Sequence, residues 1–342
     1  MPEAGDNLPV MAPRDLKSAQ LGERVQDPFL VLDRQTRSYG PETDRKEYVV
    51  LTLGNASGRI ESAPFWGADQ QQVAGFAKGT VAQVIGEVGE YRGTRQLSIS
   101  SIRALPAGEV DYRDLLPSVG DTAPFWKSLD EWRAAVRGPR LKATLGLFFD
   151  DDAFRTRFEQ CPASPSGHHD ELGGLIKHVV EVAWIGRAIA RVSGGDPDLV
   201  LAGALLHDIG KLESYRWDGA FEYTDQGRLL GHVVLGSLMF DRAIRSADPM
   251  PCTEAEAMVL QHLILSHHGK GEFGAAVPPM TLEAEILHYA DNASAKAASM
   301  ADALKDTENF SGDEAVSNKG VWQLDRRRAY RGTSDWGAGS PP

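Results

Sequence analysis

Cysteine is almost missing from this chain of 342 residues: Cys161 and Cys252 are the only two. Without paired metal-ligand spacing, they exclude a cysteine zinc ribbon and a disulfide scaffold and fit a reducing, cytoplasmic compartment. Long apolar runs are missing too. None approaches the roughly 18 residues a membrane span needs, so no membrane contact is expected. The opening MPEAGDNLPV has acids where a secretory leader would carry basic and then apolar residues, so no export is expected. Positive charge is in deficit, with 36 Lys and Arg against 48 Asp and Glu and a net charge of -12. Such a chain does not coat nucleic acid by bulk electrostatics, and any strand it binds must lie in a local groove. Residues 1–110 are closer to neutral, with 12 basic against 14 acidic side chains, and are the better place for one. Histidine is absent from the first 167 residues, and all nine lie between His168 and His288. That crowding points to metal, since imidazole is the commonest side-chain ligand.

What is present is an ordinary soluble composition, 42% hydrophobic and 25% charged, in a chain long enough for two domains. FLVLDRQTRSY, EYVVLTLGN, GRIESAPFW, TVAQVIGEV and RQLSISSIRAL read as five strands, rich in β-branched and aromatic residues and separated by turn signals. GADQQQVAGFAKG, between the third and fourth, reads as one short helix. Five strands with a helix at that place is the order of an OB-fold, a small barrel that often binds single strands. After Phe125 the periodicity becomes helical. Asp196-Pro197 supplies an N-cap followed by Pro at N1, and Gly269 stands where a C′ glycine would end the helix carrying His267 and His268. The fold class is therefore an N-terminal all-β barrel followed by a C-terminal all-α bundle.

The central chemical signal is His207-Asp208, read as lying inside one apolar helix, LVLAGALLHDIGKLES. Burying an imidazole and a carboxylate among Leu and Ala costs several kcal/mol unless something pairs with them, and a metal ion is the simplest partner. His178 on the preceding helix and Asp291 on a later one can converge on the same cation. His232 and the pair His267-His268 supply ligands for a second. Imidazole and carboxylate together suit Mn, Fe, Co, Ni or Zn better than Mg. His262 and His288 each lie about a turn from a better ligand and are expected to pack or orient rather than bind. No Gly-rich phosphate loop and no Ser or Cys nucleophile constellation competes with this reading.

HHDELGGLIKH, GALLHDIGK, RLLGHVVLG, LILSHHG and EAEILHYADN, taken in order, resemble the HD-domain phosphohydrolase superfamily. Downstream of an OB-fold they look like the YhaM-type 3′ to 5′ exoribonucleases, over roughly residues 25–305. The expected division is an arm at 1–20, a nucleic-acid-binding OB-fold at 21–106, a helical linker region at 107–165, an HD domain at 166–305 and a tail at 306–342. The resemblance implies two divalent transition ions, manganese first among them. His178, His207, Asp208 and Asp291 would form the first set, and Asp208 would bridge to a second held by His232 and His267 or His268. The implied reaction is attack of metal-bound hydroxide on single-stranded RNA, or DNA, releasing 5′-mononucleotides. Lys211, in an HDxxK arrangement, would stabilise charge on the phosphoryl oxygens. His168 and His169 would sit at the substrate rim, with a loop-capping role as the equal alternative.

In the barrel, Phe65, Trp66 and Tyr91 are candidate stacking platforms, weighed against the core role usual for strand aromatics. Arg92 and Arg95, in a hairpin with no packing need for them, are candidate phosphate contacts. The first alternative function is an HD-type nucleotide or cyclic-nucleotide phosphohydrolase; a strand-binding barrel speaks against it. A non-catalytic single-strand-binding regulator is the alternative of another class, and the complete ligand set speaks against that. A homo-oligomer is compatible with either.

Overall fold

The computed structural model describes residues 16, 19–40, 46–91, 94–106, 108–165, 167, 169–306 and 309–332. The chain divides into two compact units, Met1–Ser118 with Trp217–Ala220, and Val119–Arg216 with Phe221–Pro342.

The first unit is built on β1 (Arg24–Tyr39), β2 (Lys46–Asn55), β3 (Gly58–Ser62), β4 (Phe65–Trp66), β5 (Val81–Tyr91) and β6 (Thr94–Ala104). The long β1 pairs with β5 through its first half and with β2 through its second, while β3 runs parallel to β6. These pairings close a five-stranded barrel in the strand order of an OB-fold. Closing so small a barrel needs sharp bends, and two bulges supply them. At the first, between Val31 and Asp33, Leu32 is left without an opposite residue. A Cβ on Gly54 would lie 2.6 Å from the Leu32 Cδ1, so a larger residue there would have to displace the Leu32 side chain. At the second, between Ile85 and Gly86, a Gly86 Cβ would lie 2.6 Å from the Ser98 carbonyl oxygen. Alternate residues such as Val25, Phe29, Val49, Leu51, Val84 and Leu97 fill the interior. The expected third strand, GRIESAPFW, is broken: Pro64 offers no N–H to a ladder, so pairing stops at Ser62 and resumes for two residues as β4. The expected helix is a 3-10 turn confined to Gly67–Val73.

The second unit is helical: α1 (Ala123–Ala135), α2 (Pro139–Phe149), α3 (Asp152–Gln160), α4 (Gly174–Ser193), α5 (Pro197–Leu206), α6 (Lys211–Ser214), α7 (Asp225–Ser246), α8 (Glu254–Ser266) and α9 (Leu282–Lys305). Its only described strands are β7 (Tyr215–Arg216) and β8 (Glu222–Tyr223), which pair with each other. The caps follow the sequence signals. Asp196 accepts from Asp198 N–H, and Thr253 with Glu256 forms a full capping box. Asp151 accepts from Ala153 and Phe154 and so starts α3 separately from α2. Inside α7, Gly231 adopts φ 74, ψ 155, a left-handed kink just before His232. Among the described residues no helix is long and apolar enough to cross a membrane.

Candidate active site

Five stretches of the helical unit bring polar side chains to one buried point. His178 comes from α4, His207 and Asp208 from the turn after α5, His232 from α7 just past its kink, His267 and His268 from the end of α8, and Asp291 from the middle of α9. His207 and Asp208 were expected inside a helix. Instead α5 stops at Leu206, His207 is its C-cap, and the next residues turn tightly through bonds such as Lys211 N–H to Asp208 O at 3.0 Å. The cause is contact with α7: a Cβ on Gly210 would lie 2.0 Å from the His232 carbonyl oxygen and 2.3 Å from Gly236 N. Backbone touches backbone there, and the turn sets Asp208 beside His232.

The imidazoles are held with one nitrogen turned to the centre. Nδ1 of His207 donates to the Ala204 carbonyl at 2.8 Å, that of His267 to the Ile264 carbonyl at 2.7 Å, and that of His268 to the Phe273 carbonyl at 2.6 Å. A carbonyl only accepts, so in each neutral ring Nδ1 carries the proton and Nε2 keeps its lone pair. His178 reaches the same state through a chain. Ser294 Oγ donates to Glu181 Oε2 at 2.6 Å, so the hydroxyl must accept from His178 Nδ1 at 3.0 Å. His169 Nε2 donates to the same Glu181 oxygen at 3.0 Å. Glu181 and Ser294 escaped the sequence reading. Each lies three residues after a candidate ligand on its own helix, His178 and Asp291, and that same-face spacing is the signal that could have found them.

The two oxygens of Asp208 face different neighbours. Oδ2 lies 3.1 Å from His207 Nε2 and 3.5 Å from His178 Nε2, while Oδ1 lies 3.3 Å from His232 Nε2 and 3.7 Å from His267 Nε2. Asp291 Oδ1 is 3.1 Å from His178 Nε2. Asp208 Oδ1, His232 Nε2 and His267 Nε2 are buried without a hydrogen-bond partner. Orphaned buried acceptors of this kind are costly unless something fills the space between them. His178 Nε2 and His207 Nε2, two lone pairs in the neutral rings, also face each other at 3.4 Å. Ligands about 2.1 Å from one cation and at right angles stand about 3 Å apart, so these spacings fit a divalent ion on either side of Asp208.

Electrostatics favour the ligating forms of His178, His232, His267 and Asp208, but not of His207. Burial pushes the His178 and His267 imidazoles below their usual range and His232 down to about 3. Burial also acts against charge on Asp208, but His207 and Lys211 outweigh it and hold the carboxyl well below the usual range. His207 shows the reverse balance: burial lowers it, and the adjacent Asp208 more than compensates. Lys211 is buried, with Nζ 2.6 Å from Asp208 Oδ2.

The remaining candidates divide. His268 lies with its ring centroid 5.0 Å from that of His232. His169, expected either at a rim or as a loop cap, is 6% exposed and packs behind His178. His168 lies outside the described residues. His288 Nδ1 donates to the His267 carbonyl at 2.9 Å, and His262 Nε2 accepts from Met280 N–H at 2.9 Å, both away from the centre. In the barrel, Phe65 is 7% exposed and belongs to the core, whereas Trp66 and Tyr91 are 41% and 60% exposed and Arg95 is exposed. Arg92 lies outside the described residues.

This helical unit, with histidines and aspartates gathered from five stretches around the His207-Asp208 turn, is an HD domain: residues 175–296 match that family. Over almost its whole length the chain also resembles proteins named 3′-5′ exoribonuclease YhaM. It is 36% identical to that of Bacillus subtilis (strain 168), over 84% of this chain and 89% of the relative. It is 34% identical to that of Bacillus licheniformis, over 91% and 96%, and 32% identical to that of Shouchella clausii, over 93% and 96%. The chain belongs to the YhaM family of 3′-5′ exoribonucleases, enzymes of the HD superfamily.

Proposed function

We propose that the protein removes nucleotides one at a time from the 3′ end of single-stranded RNA, with single-stranded DNA as a second substrate, releasing 5′-mononucleotides. The observation that carries this reading is the division of Asp208, one oxygen toward His178 and His207 and the other toward His232 and His267. On that division, His178, His207, Asp208 and Asp291 hold one divalent ion, and Asp208, His232, His267 and His268 hold a second, manganese being the first choice. Bound ions would supply Lewis acidity to the phosphodiester and acidify water beside it. The chain's own residues do the rest. Asp208 stays ionised between the two sets, the Nδ1 bonds of His178, His207, His267 and His268 keep their Nε2 atoms aimed inward, and Lys211 places a fixed cation beside the reacting phosphoryl oxygens. Trp66, Tyr91 and Arg95 on the barrel contribute stacking and phosphate contacts to the longer strand.

The test uses 5′-labelled RNA and DNA of one sequence, with metal-free and manganese-loaded protein in parallel. The expected result is metal-dependent shortening from the 3′ end, with mononucleotide product. Asp208→Ala should lose bound metal by elemental analysis together with turnover. Full metal content and full activity in that variant would sink the assignment.

A further inference from the structure

The segment after α9 carries a sequence motif that the active site leaves unused. Arg326-Arg327-Arg328 is the only run of three consecutive basic residues in this acidic chain. The segment folds back on α9. Phe310, Leu324 and Ala329 bury with Ala303, and Val316 bridges to Tyr330 and Val321 to Arg327. Lys296 of α9 donates to the Gln323 carbonyl at 3.0 Å and pairs with Asp325 at 2.8 Å. Asp325 is the sole carboxylate between residues 319 and 331, so the acid nearest the arginines is already engaged.

Arg331 is part of the scaffold: its Nε donates to the Glu314 carbonyl at 2.9 Å and its guanidinium lies 4.3 Å from the Phe310 ring centroid. Of the three consecutive arginines, Arg327 donates from Nε to the Leu324 carbonyl and Arg326 lies over the Trp322 ring. All three are exposed, and none makes an ion pair with a described residue. Asp325 and Arg326 both take left-handed backbone angles, φ 54 and φ 60. Two non-glycine residues in that region cost on the order of 1 kcal/mol or more each, and such strain persists only where the surroundings impose it. The result is a fixed turn with three guanidiniums beside two large aromatics. Trp322 is 72% exposed with Arg326 5.1 Å from its ring centroid, and Tyr330 is 67% exposed.

Guanidinium groups match phosphate oxygens, and an exposed indole stacks on a base of any identity. The anchor of the turn, Lys296, follows Asp291 by five residues on the same helix, about 7.5 Å along the axis. We propose that this turn is a second grip for single-stranded RNA, on the helical unit itself: Arg326, Arg327 and Arg328 hold backbone phosphates and Trp322 stacks on a base, on the 5′ side of the linkage being cut. The proposal rests on the exonuclease reading above.

The experiment uses the full chain. Binding of a 5′-fluorescein 20-mer RNA is followed by anisotropy at several salt concentrations, in an Asp208→Asn background that blocks turnover. Replacing the three arginines together by Gln should raise Kd about tenfold and make the log-log salt slope shallower by about 2, at roughly 0.7 for each phosphate no longer neutralised. Trp322→Ala alone should raise Kd about tenfold with an unchanged salt slope. With Asp208 restored, the Arg→Gln variant should hydrolyse a dinucleotide with unaltered kcat. Unchanged Kd and slope in both variants would overturn the proposal, and so would loss of dinucleotide turnover, which would make the turn a support for the active site. A parent protein that neither binds nor degrades RNA would instead overturn the exonuclease reading, and the proposal with it.

Discussion

Asp208 Oδ2 is shared by three nitrogens, Lys211 Nζ at 2.6 Å, His207 Nε2 at 3.1 Å and His178 Nε2 at 3.5 Å. On the proposed reading the buried lysine has two separable duties, charge on the phosphoryl group and a hold on Asp208. Lys211→Ala is expected to keep its bound metal while kcat falls by about 10² to 10³, the scale of losing one charge-stabilising donor. Loss of metal in that variant would make Lys211 the group that positions Asp208. Behind His178, the hydroxyl of Ser294 passes the pull of Glu181 to Nδ1. Ser294→Ala should weaken metal affinity by about 10 to 100 fold, the usual cost of losing a partner behind a ligating imidazole. Competition with a chelating dye measures this, and Ser294→Thr, which keeps the hydroxyl, should restore most of it. The candidate ligands were legible because His and Asp are out of place among Leu and Ala. Glu181, Ser294 and the inward position of His169 were not, since they act through hydrogen bonds that only folding brings together.

Element by element, the helices of the second unit were readable from periodicity and caps, and the departures occur where backbone meets backbone. A Leu-rich run such as LVLAGALLHDIGKLES carries no pattern that stops a helix at Leu206. What stops it is the approach of Gly210 to α7, a contact between segments far apart in sequence. The kink at Gly231 and the split at Pro64 have local causes, a glycine and a proline, and could have been assigned from them. The Gly210 contact yields a prediction. Gly210→Ala forces a methyl against the His232 carbonyl and must push α7 away from the turn, drawing His232 Nε2 from Asp208 Oδ1. Overpacking of this kind costs about 1–3 kcal/mol. The variant should show a lower Tm and, at temperatures where it remains folded, bind one manganese in place of two. Two ions at unchanged affinity would contradict the placement of the second site across that contact.

Across the whole molecule, the proposed function separates grip and chemistry along the chain. The barrel unit holds none of the nine histidines, and its exposed Trp66 and Tyr91 have no chemistry to perform. The barrel itself was legible because five strands, each rich in β-branched residues, left few architectures. Which of its aromatics face outward was not. Phe65 and Trp66 are adjacent and must point to opposite sides of a strand, and only the closure of the barrel decides which is inside. On that proposal, cleavage of a dinucleotide needs the His and Asp cluster alone, whereas holding a long strand calls on stacking worth roughly 1–3 kcal/mol per base. Trp66→Ala, Tyr91→Ala and Arg95→Gln combined in the full chain should therefore raise KM on a 20-mer RNA by at least tenfold, leaving kcat on that substrate and both parameters on a dinucleotide unchanged. The salt dependence of the 20-mer KM should also weaken, because the glutamine no longer neutralises a phosphate. Equal KM on the 20-mer for variant and parent would remove the barrel surface from the substrate path. A fall in dinucleotide kcat would mean instead that these side chains take part in the chemistry, against the separation argued from the histidines.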